Sequence, residues 1–154
     1  MNGGFLGTTA PLLADVVLLL EIALGAALLV GAWLARKQRF RQHAWCQSVV
    51  VLVNLVVIAV MMIPSFRAQV LPRIPAKLTK SYFAFATVHG ALGSLAEFAA
   101  LYILLSVGTR LLPEKVRITR YKVWMRSVLV LWWVVVLLGI LTYTRWYVPN
   151  LFGK

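Results

Sequence analysis

Acidic residues are scarce in this sequence: Asp and Glu together number 4, against 16 Lys and Arg, for a formal net charge of +12. In a soluble protein so basic a balance would suggest nucleic acid as a partner. Here the basic residues gather between long apolar runs, a pattern that sets membrane topology and meets anionic lipid headgroups, so no nucleic-acid surface is expected. Cysteine is scarcer still. Cys46 stands alone, which excludes an intrachain disulfide and any multi-cysteine metal site. No nucleophile–base arrangement, Gly-rich phosphate loop or metalloprotease helix can be quoted from the chain. Polar residues are too few for a self-contained enzyme or transporter, and no catalytic reaction of its own is expected. The first apolar run has no basic stretch ahead of it, which is not the pattern of a cleaved signal peptide.

What is abundant is hydrocarbon. Hydrophobic residues make up 62% of the chain, where soluble domains reach only about 45–50%. Four apolar segments, residues 11–34, 45–63, 81–107 and 124–146, each approach the ~20 residues that a spanning helix needs. The expectation is one all-α domain over residues 1–154, an integral membrane four-helix bundle. Pro11 stands where a first helical residue can be, Pro64 closes the second span, and Pro72 and Pro75 keep the following loop irregular. The third span organises the rest. His89, Gly93, Ala96 and Ala100 recur on it at helical spacing with Glu97 at the edge, making one small and polar face suited to the middle of a bundle.

Ten of the 16 basic residues lie in the first and third connections or just inside the last span, from Arg36 to Arg41 and from Arg110 to Arg126. Six lie on the opposite side: Arg67, Arg73, Lys77, Lys80, Arg145 and Lys154. That bias places the first and third connections in the cytoplasm and both termini outside a cell membrane. Trp33, Trp45 and Trp124 then mark the inner interface, and Tyr82, Trp146 and Tyr147 the outer one. An internal echo accompanies this. Residues 41–52, RQHAWCQSVVVL, resemble residues 120–131, RYKVWMRSVLVL, and Glu21-Ile22-Ala23 resembles Glu97-Phe98-Ala99 one helix earlier. The two readings are a pair of parallel helical-hairpin repeats and chance similarity in Val/Leu-rich sequence.

At ~1.5 Å of rise per residue the cytoplasmic arginines serve as a ruler. Glu21, Asn54 and Glu97 fall roughly 20 Å from Arg36, Arg41 and Arg110 respectively, inside the membrane. Asp15 and His89 fall roughly 31 Å away, near the outer boundary, with Met61, Met62 and Tyr143 at a similar level. The inner layer reads either as packing by hydrogen-bonded carboxyls or as a proton or small-solute pathway. At the outer layer His89 with Met62 suits haem or copper, and the bland reading is a wet interfacial histidine. His43 lies on a polar stripe with Gln47 and Asn54, and its role there is a headgroup or interfacial hydrogen bond. It is roughly 30 Å from His89, too far for one haem to bridge both. Trp132, Gly139 and Tyr143 share a face of the fourth span, either a flat wall for a quinone or carotenoid or ordinary packing.

The basic segment ending at Arg41, His43 at the start of the second span, Tyr82 followed by His89 in the third, and Trp132-Trp133 with Gly139 to Tyr143 in the fourth carry a resemblance. Over nearly the whole chain the sequence resembles the small four-helix membrane proteins exemplified by YozB and CtaM, which are associated with assembly of haem-copper oxidases. The resemblance implies a four-helix architecture and a non-catalytic role as accessory subunit or assembly factor of a respiratory oxidoreductase, with other membrane subunits as partners. His43 and His89 match the family's first two histidines. Where the family often has another before the fourth helix, this chain reads Arg120-Tyr121-Lys122, which puts any shared haem or metal chemistry needing that third histidine in doubt.

Overall fold

The computed structural model describes residues 4–77, 79–109 and 111–148 and is all-α. Its elements are α1 (Leu12–Arg36), α2 (Phe40–Val57), α3 (Ile63–Gln69), the short α4 (Ile74–Lys77), α5 (Ser81–Gly108) and α6 (Tyr121–Tyr147). Among the described residues four helical stretches are long and apolar enough to cross a membrane: Leu12–Arg36, Phe40–Arg73, Phe83–Gly108 and Tyr121–Tyr147. This is an integral membrane four-helix bundle. Pro11 sits one residue outside α1, extended at φ −70° and ψ 154°, so its missing N–H withdraws nothing from the helix.

The second span departs from expectation at both ends. It starts at Phe40 instead of residue 45, because the polar residues from Arg41 to Ala44 continue the helical backbone beyond the apolar run that hydropathy marks. It also does not stop at Pro64. A π-turn at Ile58–Met62 precedes the proline, with the Ile63 N–H donating to the carbonyl of Ile58. In a regular α-helix the proline ring would collide with the carbonyl four residues earlier and break the ladder. The wider turn makes room for it, and α3 carries on to Gln69. Pro72 then lies in a tight 3₁₀ turn, Leu71–Arg73, and Pro75 within α4, where an irregular loop was expected.

The ring of packed neighbours runs α1, α2, α5, α6 and back to α1. The tightest pairs are the two hairpins, α1 with α2 and α5 with α6. We call the end with these two hairpin connections the hairpin end and the other the terminal end. Leu24, Leu28, Val50, Val51, Ala100, Trp132 and Val136 form one core towards the hairpin end. Val70, Phe83 and Ala86 form a second at the terminal end, packed by Phe66, Ile74 and Trp146. Phe83 meets Trp146 edge to face at 6.1 Å. The small stripe of α5 is turned inward: Ala96 and Ala100 are buried, and Gly93 lies so near α6 that a Cβ there would touch Val135 at 3.4 Å. Gly25 of α1 admits the Trp133 ring in the same way. Trp33, Trp45 and Trp124 are all exposed at the hairpin end, as an aromatic belt requires. The side chain of Tyr82 lies outside the described residues.

Candidate functional site: a cavity between two polar networks

After the π-turn the second span meets α5 through Val70, which is buried with Phe83 and Ala86. Phe66 of α3 lies against Gly90, where a Cβ would sit 3.5 Å from its ring. No extensive packing joins α1 to α3. The terminal half of the bundle holds a half-open cavity of about 590 Å³, within the range of small-molecule sites. Its walls are mostly apolar: Leu18 and Ile22 of α1, Ile58, Met61 and Met62 of the π-turn, Phe66 and Val70, and Trp132, Val135 and Val136 of α6. Trp132, Gly139 and Tyr143, which share a face of the fourth span, all line it.

Glu21 and Asn54 reach the cavity from its hairpin side. The Asn54 amide donates from Nδ2 to Glu97 Oε2 at 2.9 Å, joining α2 to α5 at full burial. Glu21 is 9% exposed, Asn54 5% and Glu97 4%. Glu21 Oε1, Asn54 Oδ1 and Glu97 Oε1 are buried with no hydrogen-bond partner, and so is Trp133 Nε1. Trp133 occupies the position in α6 that Asn54 holds in α2, each nine residues beyond the matching Trp45 or Trp124. The two hairpins thus each bring a carboxyl from one helix and a polar group from the next to the same level.

His89 stands on the side wall. Its Nδ1 is 3.0 Å from the carbonyl of Val135, and its ring lies on Gly139, where a Cβ would come within 3.1 Å of Cε1. Three hydroxyls around it, Thr87, Ser94 and Thr142, each donate to the carbonyl four residues earlier in their own helix, as satisfied hydroxyls do in membrane helices.

At the terminal end a different network closes over the bundle. Asp15, fully buried, accepts from the Tyr143 hydroxyl at 2.5 Å and from the Leu6 backbone N–H at 2.9 Å. With its proton committed to Asp15, the Tyr143 oxygen accepts from Thr8 at 2.7 Å. Thr9 donates to the carbonyl of Tyr147 at 3.1 Å. Residues 4–10 become a strap across the ends of α1 and α6. Gly4 passes where a Cβ would overlap the Asp15 carboxyl, and Gly7 has φ +71°, which favours glycine.

Of the outer residues grouped by depth, Asp15 and Tyr143 thus share a hydrogen bond, while His89 joins neither network and docks on α6 a turn from Tyr143 towards the hairpin end. His43 lies elsewhere. Its Nδ1 is 2.8 Å from the Gly31 carbonyl, and with Cys46 and Gln47, which donate to Ala27 and Leu28 carbonyls, it pins α2 to α1. The hydrogen bond of His43 at the hairpin end is thus made to α1. Arg117, expected among the lipid-facing cations, instead donates to the carbonyls of Leu112 and Thr109 within its own connection.

Among the described residues no group of three or more His, Cys, Asp or Glu is placed to hold a metal. A soft ion in the cavity would rest on His89 with Met61 or Met62, a donor set that suits copper(I). A haem there has one histidine, because His43 is outside the cavity. The strap was not foreseen from sequence, although Gly7 followed by Thr8 and Thr9 is turn chemistry. The π-turn had only Pro64 to announce it. Compared with known proteins, the chain matches no family model, no curated protein and no solved structure.

Proposed function

We propose that this protein is a non-catalytic accessory subunit or assembly factor of a respiratory or other membrane oxidoreductase complex. It resides in the cell membrane with the hairpin end in the cytoplasm and both termini outside, and it works by holding a membrane-soluble molecule for its partner. The observation that carries the reading is the cavity: about 590 Å³ of mostly apolar space, at membrane depth, with a few convergent polar groups, two of which each keep a buried oxygen without a partner. The YozB/CtaM-like resemblance supports the oxidoreductase as partner. Arg36, Arg39, Arg41, Arg120 and Arg126 are all exposed at the hairpin end, which favours anionic lipid there and a cytoplasmic orientation. Deleting the protein from its host should lower the amount of assembled oxidoreductase resolved on native gels. Unchanged assembly and activity would refute the role.

A second reading has its own observation. His89 meets the Val135 carbonyl through Nδ1 and lines the cavity with Nε2 unbonded, which favours a stand-alone binder of copper, haem or quinone. Spectra and metal content of the purified protein, compared with those of His89→Ala, separate it from the first. A proton pathway through Glu21, Asn54 and Glu97 has less support, since no hydrogen bond links that layer to Asp15 and Tyr143 among the described residues.

A further inference from the structure

Three polar groups face the cavity in its depth, and all three offer acceptors. Asn54 has committed Nδ2 to Glu97, which fixes the orientation of its amide and leaves Oδ1 buried and unpartnered. Glu21 Oε1 is in the same condition. A carbonyl can only accept, so the contact with Val135 puts the proton of His89 on Nδ1 and leaves a lone pair on Nε2 of the neutral ring. The hydroxyls that could have answered them are spent on their own helices at Thr87, Ser94 and Thr142. Ser65, Arg67 and Gln69, which also line the cavity, stand roughly 16–23 Å from Asn54 along the same span. In the depth of the cavity acceptors therefore outnumber donors, and each unmet acceptor at that burial carries a cost that a ligand can remove.

We propose that the cavity binds a lipophilic molecule of the quinol class, its hydroxyl hydrogens donated to Asn54 Oδ1 and Glu21 Oε1, its ring beside Trp132 and its tail among Met61 and Met62. The reduced form is selected. A quinone offers only acceptors and would set its oxygen against Asn54 Oδ1, whose amide orientation is fixed, whereas a quinol supplies two donors. This deepens the ligand-holding reading above, yet it is judged on the purified chain and does not depend on which complex the chain serves.

The test is isothermal titration calorimetry of the full-length protein in micelles, with decylbenzoquinol under anaerobic conditions and, separately, with decylbenzoquinone. The quinol should bind at least tenfold more tightly than the quinone. Asn54→Leu and Glu21→Leu should each reduce that preference at least threefold. Because Asn54→Leu also strips Glu97 of its partner, Glu21→Leu, whose Oε1 has no protein partner to strand, and the wild-type comparison decide the matter if that variant does not fold. Equal affinity for both forms, a preference for the quinone, or no binding of either to the folded protein would each overturn the proposal. Recovery of the protein without oxidoreductase partners would count against the accessory role alone.

Discussion

Asp15→Ala should be the most damaging single substitution at the terminal end. The wild-type carboxyl is fully buried and accepts two hydrogen bonds, from Tyr143 at 2.5 Å and Leu6 at 2.9 Å. Alanine takes the acceptor from the buried Tyr143 hydroxyl, a cost of about 1–3 kcal/mol, while the Leu6 N–H, on an exposed residue, loses only a net bond of about 1 kcal/mol. Tyr143 retains Thr8 as a second partner, so the expected loss is about 3 kcal/mol in total. The strap should detach with it, because Leu6 is its anchor on Asp15. Tyr143→Phe removes one of the same two bonds and should cost about 1–2 kcal/mol. The double variant should then be less destabilised than the sum of the two, with a coupling of about 1 kcal/mol or more, since the shared bond is removed once. Equilibrium unfolding in mixed micelles measures all three, and hydrogen exchange at residues 4–10 reports the strap. A loss below about 0.5 kcal/mol for Asp15→Ala, or strict additivity with Tyr143→Phe, would refute the reasoning.

Other substitutions test the remaining contacts. Glu97→Gln keeps a carbonyl oxygen for the Asn54 amide and should change stability by less than about 1 kcal/mol, while Glu97→Leu should cost more because it strands Asn54, both read by the same unfolding assay. Gly139→Ala puts a Cβ within 3.1 Å of His89 Cε1, so it should displace the imidazole, cost about 1–3 kcal/mol and shift the Nδ1 resonance in nitrogen-15 spectra. Gly31→Ala should similarly expel the Gln47 amide from its place on α1 and loosen the first hairpin, seen as faster exchange in the first turns of α2.

How much of this was legible in the sequence depends on what each feature obeys. The spans follow from hydrocarbon content alone, because a bilayer admits helices of about that length and little else. Counting residues from the arginines is enough to bring Asn54 beside Glu97, since α2 and α5 are regular from the hairpin end to that level. Beyond it the count loses meaning. The π-turn at Ile58–Met62 changes the rotation of everything after it, so Met61, Met62 and Phe66 could not be assigned to a face from spacing. His89 shares a depth with Asp15 on that ruler, yet depth does not say which neighbour it meets; the choice of Val135 is made by the room at Gly139. The strap is invisible to hydropathy because its contacts are backbone and hydroxyl groups, and Asp15 looks from sequence like an isolated acid when it is the strap's fixed point. The cavity is lined by residues of all four spans, which no single helix encodes.

The proposed role as accessory or assembly factor stands or falls on the company the protein keeps. Purification from native membranes in mild detergent, with mass spectrometry of what accompanies it, tests this most directly. The account predicts recovery of membrane oxidoreductase subunits in reproducible proportion to the protein. Recovery of the protein by itself, in good yield and still folded, would contradict it.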